Sequence, residues 1–182
     1  MKKALVVVDY THDFIAEGAP LEAGEPGRSV HDAIVKLTKE FIDEDEFVVF
    51  ANDMHYPNDP YHPETKLFPP HNLIGTDGRL LYGELQEVYE QAKDKPNVLL
   101  RDKTRYSAFA GTDLDILLRA RRITELHLVG VCTDICILHT AVDAYNLGYD
   151  IYIHEDGVQS FNPAGHEFAL EHLKNVINAT IV

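Results

Sequence analysis

The chain has two cysteines, Cys132 and Cys136, and Cys136 falls where a thiol can react. The run Gly130-Val131-Cys132-Thr133-Asp134-Ile135-Cys136 passes from an apolar stretch into a helical pattern, with Thr133 or Asp134 as the expected cap. A thiol in that first turn faces unpaired backbone N–H groups and the positive end of the helix dipole, both of which favour thiolate. The same N–H groups could hold the oxyanion of a tetrahedral intermediate. Asp9 and Lys103 each stand at the end of an apolar run of their own. A carboxylate there can shuttle a proton between a thiol and leaving ammonia, and an ammonium can stabilise both anions. The chemistry open to such a set is acyl transfer from a small amide, with Cys136 as nucleophile.

Each residue also has a plainer reading. An arbitrary cysteine is more often a buried packing residue than a nucleophile. Asp9 could cap a turn or accept a phosphoryl group, but the second aspartate that such phosphatases need two residues on is Thr11 here. Lys103 alone reads as a surface lysine. Cys132 and Cys136 are spaced C-x-x-x-C rather than the redox spacing C-x-x-C, so Cys132 is read as a small packing residue whose backbone matters. A second set lies in Asp53-Met54-His55 and the later His71, one carboxylate and two imidazoles suited to Zn²⁺, Fe²⁺ or Mn²⁺. His62 and Glu64 lie between them as further donors, and the residues alone leave both open.

The elements that must carry these groups are legible from patterning. Apolar, β-branched runs predict strands over 3–9, 47–53, 97–102, 125–131, 150–154 and 178–182, most of them continuous enough to be buried on both faces. Helical periods lie between them. Val30, Ile34, Leu37 and Phe41 share one face; Leu114, Leu117 and Leu118 follow Thr112 as N-cap; Ile135, Leu138, Val142 and Tyr145 end at Gly148; and Phe168, Leu170 and Leu173 follow Pro163. The alternation predicts an α/β fold: a single Rossmann-like domain over 1–182, with a mostly parallel six-stranded sheet, helices on both faces and right-handed crossovers. In such a sheet ligands bind beyond the carboxyl ends of the strands. Asp9 ends the first strand, Asp53 and His55 follow the second, Lys103 the third and Cys132–Cys136 the fourth, so all should meet at one edge. The stretch 53–78 has no period and holds five of the nine prolines, and a stiffened loop of that length suits a site with fixed ligands.

Composition narrows the partners. A formal net charge of −14 disfavours nucleic acid and anionic membrane, both of which need a basic face. The apolar run 4–8 is too short for a signal core or a membrane span, and two cysteines make no disulfide framework, so a cytoplasmic location is expected. A receiver or nucleotide-binding module has no use for a cysteine at a helix start, and Asp9-Tyr10-Thr11 stands where a dinucleotide glycine fingerprint would be.

With these residues assembled, the chain resembles the isochorismatase-like cysteine hydrolases over essentially its whole length, and among them the nicotinamidases. The segment 8–14, Val-Asp-Tyr-Thr-His-Asp-Phe, is similar to the family's D-x-Q-x-D-F; 103–109 is similar to K-x-x-Y-S-A-F; and 130–136 is similar to G-V-x-T-D-x-C. Asp53-Met54-His55 and Pro69-Pro70-His71 resemble the metal motifs of nicotinamidases, which isochorismatases lack. The resemblance implies Asp9, Lys103 and Cys136 as catalytic groups. It implies an oxyanion hole from the Cys132 and Cys136 amides, next to a cis peptide between Val131 and Cys132. It implies a ring clamp of Phe14, Phe68 and Tyr106, and a divalent metal, zinc first and iron or manganese as alternatives, on Asp53, His55, His71 and a fourth ligand. Glu64 is preferred over His62 for that ligand. The implied reaction is hydrolysis of nicotinamide, or of an analogue such as pyrazinamide, through a thioester. The alternative is a metal-independent amidase acting on a ureido or carbamoyl compound. The implied partner is a small molecule, and a homo-oligomer is compatible with the chain. Thr11 and His12 depart from the usual Gln and Asn, which bears on the hydrogen bonding around Asp9. Cys132 replaces a frequent Ala.

Overall fold

The computed structural model describes residues 2–182; Met1, the first residue of the expected domain span, lies outside the described residues. Six strands, β1 (Lys2–Val8), β2 (Phe47–Asp53), β3 (Val98–Lys103), β4 (Ile123–Val131), β5 (Asp150–Gln159) and β6 (Thr180–Ile181), form one sheet in the order β3-β2-β1-β4-β5-β6. Every pairing is parallel, so the sheet is wholly rather than mostly parallel. The strand order reverses between β1 and β4, and the crevice above that pair is where a ligand can enter.

The continuous apolar runs follow from burial on both sides. Along β1, Ala4, Val6 and Val8 face one core and Leu5 and Val7 the other. The first core is closed by α5 (Leu114–Ala120), α6 (Leu138–Asn146) and α7 (Pro163–Val176). The second is closed by α3 (His31–Asp43) and α4 (Glu84–Ala92), which follow two short helices, α1 (His12–Ile15) and α2 (Gly24–Ser29). None of these helices is long and apolar enough to cross a membrane.

Several boundaries differ from the sequence expectation. Asp9 lies just past β1 in a left-handed conformation, φ 56°, rather than ending the strand. Lys103 belongs to β3, paired with Asp53. β5 runs on to Gln159 through polar residues, across a register shift that moves the partner of Gly130 to Val158. The acidic helix α4 carries too few apolar residues for a strong periodic signal, yet buries Leu85, Val88 and Ala92. On α6 the buried face is Ala141 and Ala144, while Tyr145 is exposed, because small side chains let this helix sit close on the sheet. Phe168 of α7 is likewise exposed. Asp113 takes the N-cap position of α5, and Thr112 Oγ1 accepts from the Leu114 N–H at 3.3 Å.

β1 and β4 approach closely where Gly130 pairs with Val8. Gly130 has φ 119°, and a Cβ there would lie 2.0 Å from the Val8 carbonyl oxygen, so only glycine fits. The next peptide, Val131–Cys132, is cis.

Candidate active site

The chain brings Asp9, Lys103 and Cys136 to one point at the carboxyl edge. Lys103 Nζ lies 2.7 Å from Asp9 Oδ2, 3.7 Å from Cys136 Sγ and 3.7 Å from Asp53 Oδ1, and also donates to the Arg105 carbonyl at 3.1 Å. Asp9 Oδ1 accepts from the Asp53 N–H at 2.7 Å, which ties the end of β1 to that of β2. All three side chains are buried. A buried ammonium between carboxylates is stable only because they repay its desolvation. Burial works against the charge on Lys103, but Asp9, Cys136 and Asp53 hold it firmly protonated.

At Cys136 two influences oppose each other: the helix start favours thiolate, and burial disfavours it. Burial first, and then the negative Asp9, push the Cys136 thiol well above its ordinary range, and the pull of Lys103 is too small to reverse this. Burial raises Asp9 to about 6 against the opposing pull of Lys103. The site thus gathers a cysteine sulfur, a carboxyl group and an ammonium within reach of one another. Cys132 is pushed up to about 12, chiefly by burial, as suits a packing residue. Both cysteines are free.

The turn that carries Cys136 is a π-helical turn, Thr133–Ile137, leading directly into α6. Its cap is Cys132, whose carbonyl accepts from the N–H groups of Ile135 and Ile137, and not Thr133 or Asp134. Those two side chains point to other elements: Thr133 Oγ1 pairs with His166 Nδ1 at 2.8 Å, and Asp134 Oδ1 accepts from Ser160 Oγ at 2.7 Å. The Cys136 N–H belongs to a first turn, where amides lack an intrahelical carbonyl.

Beside this centre, Asp53, His55, Glu64 and His71 are all buried and each offer one donor atom, all within 4.8 Å of one another. The cluster fits a divalent cation on its chemistry. Two carboxylates are sequestered together, and Asp53 Oδ1 and His71 Nε2 are buried without a hydrogen-bond partner. Burial opposes a charge on His71, but Asp53 and Glu64 push it up to about 10. Burial likewise opposes the charge on Asp53, which Lys103, His55 and His71 hold below the usual carboxylate range.

His62 stands outside the cluster. Its Nε2–H donates to the Thr104 carbonyl at 2.8 Å, its Nδ1 accepts from the Glu64 N–H at 3.3 Å, and its ring packs on His55 with centroids 4.2 Å apart. Both nitrogens are spent on holding the short 3₁₀ turn Pro63–Lys66 against the strand that carries Lys103. His71 is held by other struts. Asp13 Oδ2 accepts from the Asn72 N–H at 2.7 Å, and Thr11 Oγ1 donates to Asn72 Oδ1 at 2.9 Å. The Thr11 hydroxyl thus serves the loop that carries His71, while its N–H donates to the Asp9 carbonyl at 2.9 Å.

A narrow apolar slot connects the two groups. Phe14, Phe68 and Tyr106 line it, together with Cys132, Cys136, Asp53 and Glu64. Leu21, Ile135 and Phe161 line it too and were missed by the sequence reading. The strand-end rule would have found Phe161 had β5 been followed to Gln159. Leu21 sits in an irregular stretch with no periodic signal.

Residues 3–181 match the isochorismatase domain family, and the chain belongs to that family. The whole chain superimposes on the crystal structure of the nicotinamidase/pyrazinamidase PncA from Bacillus subtilis, at 59% identity and TM-score 0.99, covering 100% of both chains. A pyrazinamidase/nicotinamidase structure from Streptococcus mutans UA159 matches at 50% identity and TM-score 0.97, again over 100% of both chains. The pyrazinamidase of Pyrococcus horikoshii, solved in complex with zinc, matches at 26% identity and TM-score 0.86, over 100% of this chain and 99% of that one.

Proposed function

We propose that this chain is an amidohydrolase that converts nicotinamide to nicotinate and ammonia through a thioester on Cys136. One observation carries the reading: the buried Lys103 ammonium joins Asp9 to the Cys136 thiol at an aromatic slot that also reaches Asp53 and Glu64. The activities named for the similar structures, and the zinc in one of them, support it.

The chain's own groups suffice for each proton transfer. Asp9 takes the S–H proton as the Cys136 sulfur adds to the carboxamide carbon, and Lys103 holds the charge of both. The amides of Cys132 and Cys136 receive the oxyanion. Cleavage of the C–N bond returns that proton from Asp9 to nitrogen, ammonia leaves and the thioester remains. Water then gives a proton to Asp9 and adds to the thioester carbon. The C–S bond breaks, Asp9 reprotonates the sulfur, and the acid gives its proton to solvent as it leaves as nicotinate. Phe14, Phe68 and Tyr106 hold the flat ring and keep bulk water from the thioester. When bound, a divalent cation on Asp53, His55, Glu64 and His71, zinc by first choice, supplies a Lewis-acid contact for the lone pair of a ring nitrogen.

The slot speaks against a ureido acid as substrate. Such a compound carries a carboxylate, and no Arg, Lys or His lines the slot, whereas Asp53 and Glu64 do. The deciding measurement is ammonia release from nicotinamide by the native protein and by Cys136→Ala. The variant should lose at least ~10³-fold in turnover with its metal content intact. Activity retained by the variant would remove Cys136 as nucleophile, and no release by the native protein would remove the substrate.

A further inference from the structure

The metal cluster stands between two hollows. On one side is the slot, about 410 Å³, which reaches Asp53 and Glu64 from the Cys136 side. On the other is an outer hollow of about 470 Å³ at the protein surface, lined by His55, Glu64 and His71 and by Asn58, Asp59 and Thr65 of the proline-rich loop. Glu64 and Phe68 belong to both linings and form the wall between them.

We propose that the outer hollow is the port through which the cation enters and leaves, so that metal exchange and substrate traffic use separate openings. The proposal rests on the metal reading above. It follows from what each opening offers a hydrated dication. The slot is lined by Phe14, Phe68, Tyr106 and Phe161 with Leu21 and Ile135, so a cation passing there would shed water with few oxygens to replace it. The outer hollow is lined by Tyr56, Phe68 and Leu73 as well, but it adds the Asn58 amide, the Asp59 carboxylate and the Thr65 hydroxyl on the way in. The mouth is also held in shape: Thr65 Oγ1 donates to the Asp59 carbonyl at 2.7 Å, and Asp59 Oδ1 accepts from the Tyr61 N–H at 2.9 Å. Both imidazoles of the cluster line this hollow and neither lines the slot. A ligand in the slot therefore leaves the path to His55 and His71 clear.

The test follows Zn²⁺ leaving the holoprotein for a chromogenic chelator, and Zn²⁺ uptake by the stripped protein. In one arm Cys136 is alkylated with phenacyl bromide, which fills the slot with a ring that has no metal-binding nitrogen. Release should keep its native rate. In the other arm Thr65→Trp, at an exposed position on the rim, narrows the outer hollow. Uptake and release should both slow by about ten-fold with the dissociation constant unchanged, the signature of a gate rather than of an altered ligand set. Release slowed by the phenacyl group would overturn the port, whatever Thr65→Trp does. The alkylated arm uses the native sequence and decides the matter even if Thr65→Trp folds poorly. A protein that takes up no Zn²⁺ in either arm would overturn the metal reading itself, and is told apart by metal content.

Discussion

Asp9, Lys103 and Cys136 lie at or just past the carboxyl ends of β1, β3 and β4, within a run of four adjacent strands, whereas Glu64 and His71 ride on the loop that follows β2. The first group needs only the topology. Backbone ladders between β1, β2, β3 and β4 fix the spacing of their ends, and the side chains meet there. The second group needs struts: His62 for Glu64, and Asp13 and Thr11 for the residue after His71. Two halves of one site are thus built by different means, one by sheet register and one by side-chain hydrogen bonds to loop backbone. The strand-built half should fail through charge, and the loop-built half through loosened geometry.

The sharpest break is expected at Lys103. Lys103→Met leaves Asp9 and Asp53 buried without their shared cation, and should cost about 3–5 kcal/mol of stability along with the ammonia-releasing activity. Denaturant titration beside the ammonia assay reads both losses. A smaller and different effect is expected at His62. His62→Ala removes the link between Thr104 and Glu64 and should weaken Zn²⁺ binding by about 10–100-fold, while turnover at saturating metal stays near native. Calorimetric titration of the stripped protein measures the first and steady-state kinetics the second; partial rescue by His62→Gln, which keeps a donor for the Thr104 carbonyl, would sharpen the assignment. The smallest effect belongs to Thr11. Thr11→Val should lower the melting temperature by about 2–4 °C, the cost of one buried hydrogen bond, with the nicotinamide KM unchanged. If Thr11→Val impaired turnover as severely as Lys103→Met, the division between the halves would collapse.

The same contrast explains what could be read in advance. Chemistry-bearing residues at strand ends announce themselves, because a buried parallel strand is a plain apolar run and the rule for its carboxyl end is general. Asp53 and His55 profit from the same logic, since they end and follow β2. Glu64 and His62, two residues apart in an aperiodic loop, could not be separated by pattern. Their roles depend on which nitrogen meets the Thr104 carbonyl, a contact spanning 42 residues of chain. The environment of Cys136 was only half legible for a related reason: helix position favours thiolate, while burial beside Asp9 pushes the thiol up, and burial comes from neighbours distant in the chain. Phe161 escaped notice because the polar second half of β5 hides the strand that delivers it.

Gly130 gives the crevice its width. Since a methyl group there would meet the Val8 carbonyl, the gap between the strand that leads to Asp9 and the strand that leads to Cys136 is set by a side chain that is missing. The closeness of the ends that carry Asp9 and Cys136 therefore depends on a position outside the cluster they form. Any larger residue at 130 would push back the backbone at Val8, and with it the strand end that carries Asp9.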